Sequence, residues 1–390
     1  MMRWTIALVL GLVGAAACAD ELELRAGRTP PQGKIYAVSL AGVIVEDPFG
    51  VQRTIRWDSV RRITGDKAQD ALVYEPIAVD SWRARSRLER GDAVTAEPLF
   101  EQLFDRYEGS QSEMASMVAE GLLRCRLRRS AHTAAVTPWL AYLTSEGNGP
   151  YRSLIVGVLR PAVDPETGLV PSLAPVWLAT PAVEAFANAD EIVAWSATDA
   201  SPPRRAEILG RLYRHAAQFE VGLVEGTPEL DLDSREQRDP GIQLALSIIL
   251  ARCGDTQQRA DARATLLDIM NAEARVPVAR QRMWIEAWCR LGIGRSLLME
   301  TDRETRLSGI VELLHLPARF GESLPYLAGL ALAECAVALD QHADPRSLNA
   351  LLSEIRNQYA SHAATQWAPL QQLLMQHTRA LPLPLREETR

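Results

Sequence analysis

Apolar and polar residues alternate along Gly33-Lys-Ile-Tyr-Ala-Val-Ser-Leu40, then through Gly42-Val-Ile-Val-Glu46 and Val51-Gln-Arg-Thr-Ile-Arg-Trp57. Asp47-Pro-Phe-Gly50 separates the last two runs as a turn. A period of two, β-branched residues and Gly/Pro punctuation together predict strands. Trp57-Asp-Ser-Val-Arg-Arg-Ile63 adds a tight turn and a final strand. Several short strands within residues 20–66 predict a small β-barrel or curled sheet, because a lone hairpin is not stable in water.

From about residue 80 the period changes. Ala96, Leu99, Phe100, Leu103 and Tyr107 fall at i, i+3, i+4, i+7 and i+11, and Leu348, Leu351, Leu352, Ile355 and Tyr359 repeat that rhythm. Each set is one stripe on a helix. Thr95 is the expected N-cap of the first, which would leave Pro98 in the tolerant first turn. Helical runs are predicted near 82–90, 204–220, 241–253, 256–271, 276–290 and 327–339. Another carries the stripe Leu307, Ile310, Val311 and Leu314, with Pro317 as its end and His315 beside that end. Gly292-Ile-Gly294 is expected to be a turn between helices. Residues 161–181 resist the scheme: Pro165, Pro171 and Pro175 forbid a long helix, yet the stretch is apolar. An apolar loop must be covered or must cover something. Two readings stay open: a strap packed on the chain's own helices, or a plug or partner surface centred on Trp177.

The turn Gly91-Asp92 precedes the helix bearing Ala96, Phe100 and Tyr107. A helix, a Gly-Asp turn and a helix with Ala-x-x-x-Phe and a terminal Tyr resemble a tetratricopeptide-type repeat. Asp344 and Tyr359 keep part of that pattern, while Leu348 and Leu352 replace its small and aromatic positions. The strand rhythm of residues 20–66 resembles SH3-like small barrels. These resemblances imply a mainly α fold: an irregular α-solenoid of helical hairpins behind a small β-module, with a concave face for a protein or peptide.

The N-terminus bears on location. Arg3 precedes a short apolar run that ends in Ala15-Ala16-Ala17-Cys18-Ala19. That is the anatomy of a secretory signal peptide over residues 1–19, with Asp20 as the mature start. A competing reading makes Cys18 the acylated residue of a lipoprotein. Either places the protein in the periplasm or cell envelope, and no later run is long enough to span a membrane. The expected order is signal peptide 1–19, β-module 20–66, linker 67–80, helical repeats 81–380 and tail 381–390.

Composition excludes some partners and supplies little chemistry. The 390-residue chain carries a formal net charge of −7, so no basic field exists to attract nucleic acid. Cys125, Cys253, Cys289 and Cys335 are widely spaced, without a C-x-x-C pair, and are expected to be buried thiols, with one disulfide left open. The six histidines form no metal or catalytic motif, and no nucleotide-binding glycine motif occurs. Asp231, Asp233, Glu236 and Asp239 form the one compact acidic set, for calcium or for paired-carboxylate chemistry, against a solvated connector. Trp284 and Trp288 lie one helical turn apart, as core packing or an aromatic ledge for sugars. No catalytic residue, cofactor or metal is assigned. The expectation is a non-catalytic, exported interaction scaffold. The alternatives are an envelope polysaccharide hydrolase or lyase and a structural envelope lipoprotein.

Overall fold

The computed structural model describes residues 20–146, 151–155, 161–189, 204–342 and 344–379. Cys18, the cleavage site and the tail 381–390 lie outside them. The chain divides into two compact units at Arg83/Ala84. It is mainly helical, with a small antiparallel β portion at the N-terminus.

In the first unit, β1 (Glu21–Leu24) pairs antiparallel with β5 (Val60–Thr64). A separate sheet has the order β2 (Lys34–Ser39), β3 (Gly42–Glu46), β4 (Gln52–Ile55). The predicted strands are all present, and β1 is an addition, although Glu21-Leu-Glu-Leu24 alternates with a period of two. Trp57 anchors the core: its side chain is buried, its indole N–H donates to the Ser39 carbonyl at 2.9 Å, and it stacks on Tyr74 at 5.2 Å. Residues 67–80 are helical and not a plain linker. They hold α1 (Ala68–Ala71), a 3₁₀ turn and the start of α2 (Glu75–Glu89). Asp20 accepts from the Lys67 amide at 2.8 Å, and Arg25 lies over the Trp82 ring at 4.6 Å.

The second unit holds the end of α2, then α3 (Ala93–Arg106), α4 (Glu113–Arg128), α5 (His132–Glu146), α6 (Pro181–Asn188), α7 (Arg204–Glu220), α8 (Pro240–Cys253), α9 (Thr256–Ala274), α10 (Met283–Leu298), α11 (Arg303–Phe320), α12 (Pro325–Gln341), α13 (Pro345–Gln358) and α14 (Ala368–Arg379). From α3 to α13 each helix packs on the next in the chain, and α14 packs on α12. Aspartates start many of them. Asp92, Asp239, Asp255, Asp302 and Asp344 each accept from a first-turn amide that has no intrahelical partner.

Several local expectations need correction. Asp92, not Thr95, caps α3, so Pro98 lies inside the helix and removes one intrahelical bond. Pro317 likewise lies inside α11, which runs on to Phe320, and its buried face is Ile310, Leu313, Leu316 and Phe320; Leu307 and Val311 are exposed. Gly292 and Gly294 are interior to α10 and end no helix. A Cβ at Gly294 would crowd Leu313 and the Gly309 carbonyl, so the paired glycines let α10 and α11 approach closely.

The strap, residues 161–180, has neither helix nor strand and lies inside the second unit. Leu169, Val170, Leu173, Val176, Trp177 and Leu178 are all buried. A buried irregular backbone has no ladder to satisfy its carbonyls, so side chains must do it. Trp139 donates to the Gly168 carbonyl and Trp288 to that of Pro171, both at 2.8 Å. The Tyr213 hydroxyl donates to Leu173, and Arg295 to the Trp177 carbonyl at 3.0 Å. Three aromatics and an arginine, from α5, α7 and α10, thus do for the strap what a neighbouring strand does in a sheet.

Candidate functional site

A cleft of about 640 Å³ opens in the second unit where the end of α4, the strap, the start of α10 and the residues before α12 converge. Its apolar lining includes Pro161, Pro165, Pro171, Met283, Trp284 and Leu324. The placement follows from local sequence. Pro165 and Pro171 each sit in a turn of the strap, one closed by the Gly168 amide donating to the Asp164 carbonyl at 2.9 Å and the other by the Leu173 amide donating to that of Val170 at 2.8 Å, and the ring-fixed φ of proline suits that position. Met283 and Trp284 open α10. Met283 is 56% exposed, while Trp284 is 9% exposed and packs edge-on against Trp288 at 5.0 Å. Because Trp288 is bonded to the strap, the exposed edge of Trp284 has little freedom to move.

Three arginines and one aspartate supply the charge in the lining. Arg124 donates twice to Glu120, at 2.9 and 2.7 Å. Glu120 is itself buried, and it also accepts from the Leu154 amide at 2.9 Å, so this pair pins the chain segment before the strap. Arg282 reaches Glu273 at 2.9 Å, Glu166 at 2.6 Å and Asp164 at 3.7 Å. Burial opposes its charge, but these carboxylates outweigh burial and raise its pKa. Asp164 accepts from the Thr167 amide at 2.9 Å and hydroxyl at 2.8 Å, closing a turn in the strap.

Arg128 differs. It is exposed, it donates to the Gly91 carbonyl at 2.8 Å, and among the described residues it meets no carboxylate. Gly91 adopts φ +88°, a conformation glycine takes without strain. The Gly91-Asp92 turn read from the sequence as a repeat signature thus also positions a cation at the cleft.

The other sequence candidates fall elsewhere. Trp177 has no exposed surface; its indole N–H donates to the Tyr213 carbonyl at 3.2 Å, inside the core. Trp284 lines the cleft and Trp288 is buried behind it. Asp233 accepts from the Arg235 and Glu236 amides at 2.7 and 2.8 Å, Glu236 pairs with Arg204 at 3.0 Å, and Asp239 caps α8 and pairs with Arg205. None of this acidic set, Asp231 included, lines the cleft. Among the described residues no group of three His, Cys, Asp or Glu side chains could hold a metal ion. Cys125, Cys253, Cys289 and Cys335 are free and buried, and burial pushes the thiols of Cys125 and Cys289 up to about 12 and that of Cys253 to about 11.

Sequence reasoning missed Arg124, Arg128 and Arg282 as cleft residues. The available signal was that the aromatic pair and the proline-rich strap, singled out separately, needed a common place. A trough of about 700 Å³ in the first unit is a second concavity, in whose lining Arg61 pairs with Glu23 at 2.8 Å. Among the described residues no helix is long and apolar enough to cross a membrane. No known protein family matches the chain, and no curated protein or solved structure matches it either.

Proposed function

We propose that the protein is a non-catalytic interaction scaffold, whose helical hairpins form an irregular solenoid that holds a segment of a partner protein in the cleft. The observation that carries this reading is the composition of the cleft. Proline, tryptophan, methionine and leucine side chains line it, Arg124 and Arg282 are neutralised by carboxylates, and its one carboxylate is committed to a turn. These are groups for recognition: an aromatic edge, an adaptable thioether and proline rings on bonded turns. Export through a leader ending before Asp20 belongs to the same proposal and rests on the N-terminal sequence.

The test places the photo-crosslinking residue p-benzoylphenylalanine at Met283, and at exposed Val311 on α11 as a control. Irradiation of living cells is expected to give discrete adducts from position 283 alone, and these should be lost when Trp284→Ala is added. Equal adducts from both positions, or none from either, would remove the proposal. Intact mass of the purified protein checks export, with Asp20 expected as its first residue.

A further inference from the structure

We infer that the cleft recognises a linear acidic peptide, in which a large apolar side chain packs on Trp284 and Met283 while a nearby carboxylate meets Arg128. The inference rests on the scaffold reading and adds the chemistry of the ligand. Three observations point the same way. The protein carries a net charge of −7, yet the cleft lining holds three arginines and one aspartate. Arg124 and Arg282 are matched by Glu120 and by Glu273 with Glu166, so neither needs a ligand anion. That leaves Arg128, whose single hydrogen bond to Gly91 fixes it at the cleft with most of its donors unused. The apolar lining of Trp284, Leu324 and the three prolines faces the same space, so one ligand can use both. A volume of about 640 Å³ is of the size that takes a few side chains of such a peptide.

The test uses the purified full chain and a phage-displayed library of random octapeptides. Enriched peptides are expected to carry an aromatic or large aliphatic residue within a few positions of Asp or Glu. By fluorescence anisotropy, Arg128→Gln should weaken the best of them about threefold to fivefold, the scale of one exposed ion pair, and raising the salt should do the same. Trp284→Ala should weaken them whether or not they carry the acidic residue.

Enrichment without acidic residues, or affinities that Arg128→Gln leaves unchanged, would overturn the inference and leave the scaffold standing if the crosslinks at position 283 persist. Crosslinks without any enriched peptide would overturn it too, since the partner would then not be a linear segment. If neither library nor crosslink responds, both readings fall. A synthetic decapeptide of residues 381–390, Leu-Pro-Leu-Pro-Leu-Arg-Glu-Glu-Thr-Arg, is a separate arm. If it outcompetes every selected peptide, the occupant is the chain's own tail and the partner is refuted.

Discussion

Arg295 shows what one residue can be made to carry. It is 3% exposed and donates to Glu334 at 2.7 Å, to Glu220 at 2.9 Å and to the Trp177 carbonyl. Burial alone would lower its pKa, but Glu220 and Glu334 outweigh it and raise the pKa. Arg252 shares Glu220 with Arg295, donating to the same Oε1 at 2.9 Å and to Oε2 at 3.2 Å. Removing Arg295 would strand the buried Glu334 carboxylate and the Trp177 carbonyl and leave Glu220 with Arg252 alone, so Arg295→Met is expected to cost about 3–5 kcal/mol, read as a lower urea midpoint. His132 argues in the other direction. It is buried and stacks on Tyr326 at 3.4 Å, and burial, with His362 nearby, lowers its pKa to about 4. The native state therefore binds fewer protons than the unfolded chain between about pH 6.5 and 4. The stabilisation is complete above about pH 6.5 and is lost as pH falls towards 4. Its ceiling is about 3 kcal/mol, since a tenfold change in proton affinity is worth about 1.4 kcal/mol. Burial lowers the pKa of His362 as well, which adds to the same acid sensitivity. His132→Phe should flatten the dependence of the urea midpoint on pH across that window.

At the scale of elements, the helices are written plainly in the sequence and their ends are not. Ala96, Phe100, Leu103 and Tyr107 are buried as their spacing predicts, and so are Leu348, Leu351, Leu352 and Ile355, while Leu99 and Tyr359 of the same two stripes are half-buried. Periodicity reports a face, which local residues determine. A boundary depends on tertiary packing: Pro98 and Pro317 are kept inside helices because the turns around them are buried against neighbours. The same limit hid the glycines. Gly121 on α4 faces the ring of Phe100 on α3, and a Cβ there would overlap the ring. Gly121→Ala, harmless to an isolated helix, is thus expected to cost about 1–3 kcal/mol by overpacking. Asp92→Ala should destabilise by less, through loss of the α3 cap. Chemical denaturation of both variants checks the order of the two effects. The cleft was legible only in pieces. Trp284 and the prolines stood out by type, but the arginines belong to it through folding, and nothing along the chain sets Arg128 apart from its paired neighbours.

For the molecule as a whole, the strap organises the helical unit. The sequence shows that it cannot be helical and must be covered. It could not show where, because its partners Tyr213, Trp288 and Arg295 lie 36 to 118 positions from the residues they hold. Trp177→Ala would empty a fully buried site, so a loss of about 3–5 kcal/mol is expected. By hydrogen exchange, the loss of protection should reach the amides of α7 and α10 and spare Val43 and Val45, which belong to the other compact unit.

This arrangement also bears on how the chain is made. The apolar residues of the strap leave the ribosome well before α10, which supplies Trp288 and Arg295. During that interval a greasy, proline-stiffened segment has only the part of its cover that α5 supplies through Trp139, and α3 to α5 alone cannot complete the fold. A nascent chain in this state is a natural client for a holding chaperone, and release should be timed to the synthesis of α10 rather than to the length of chain made.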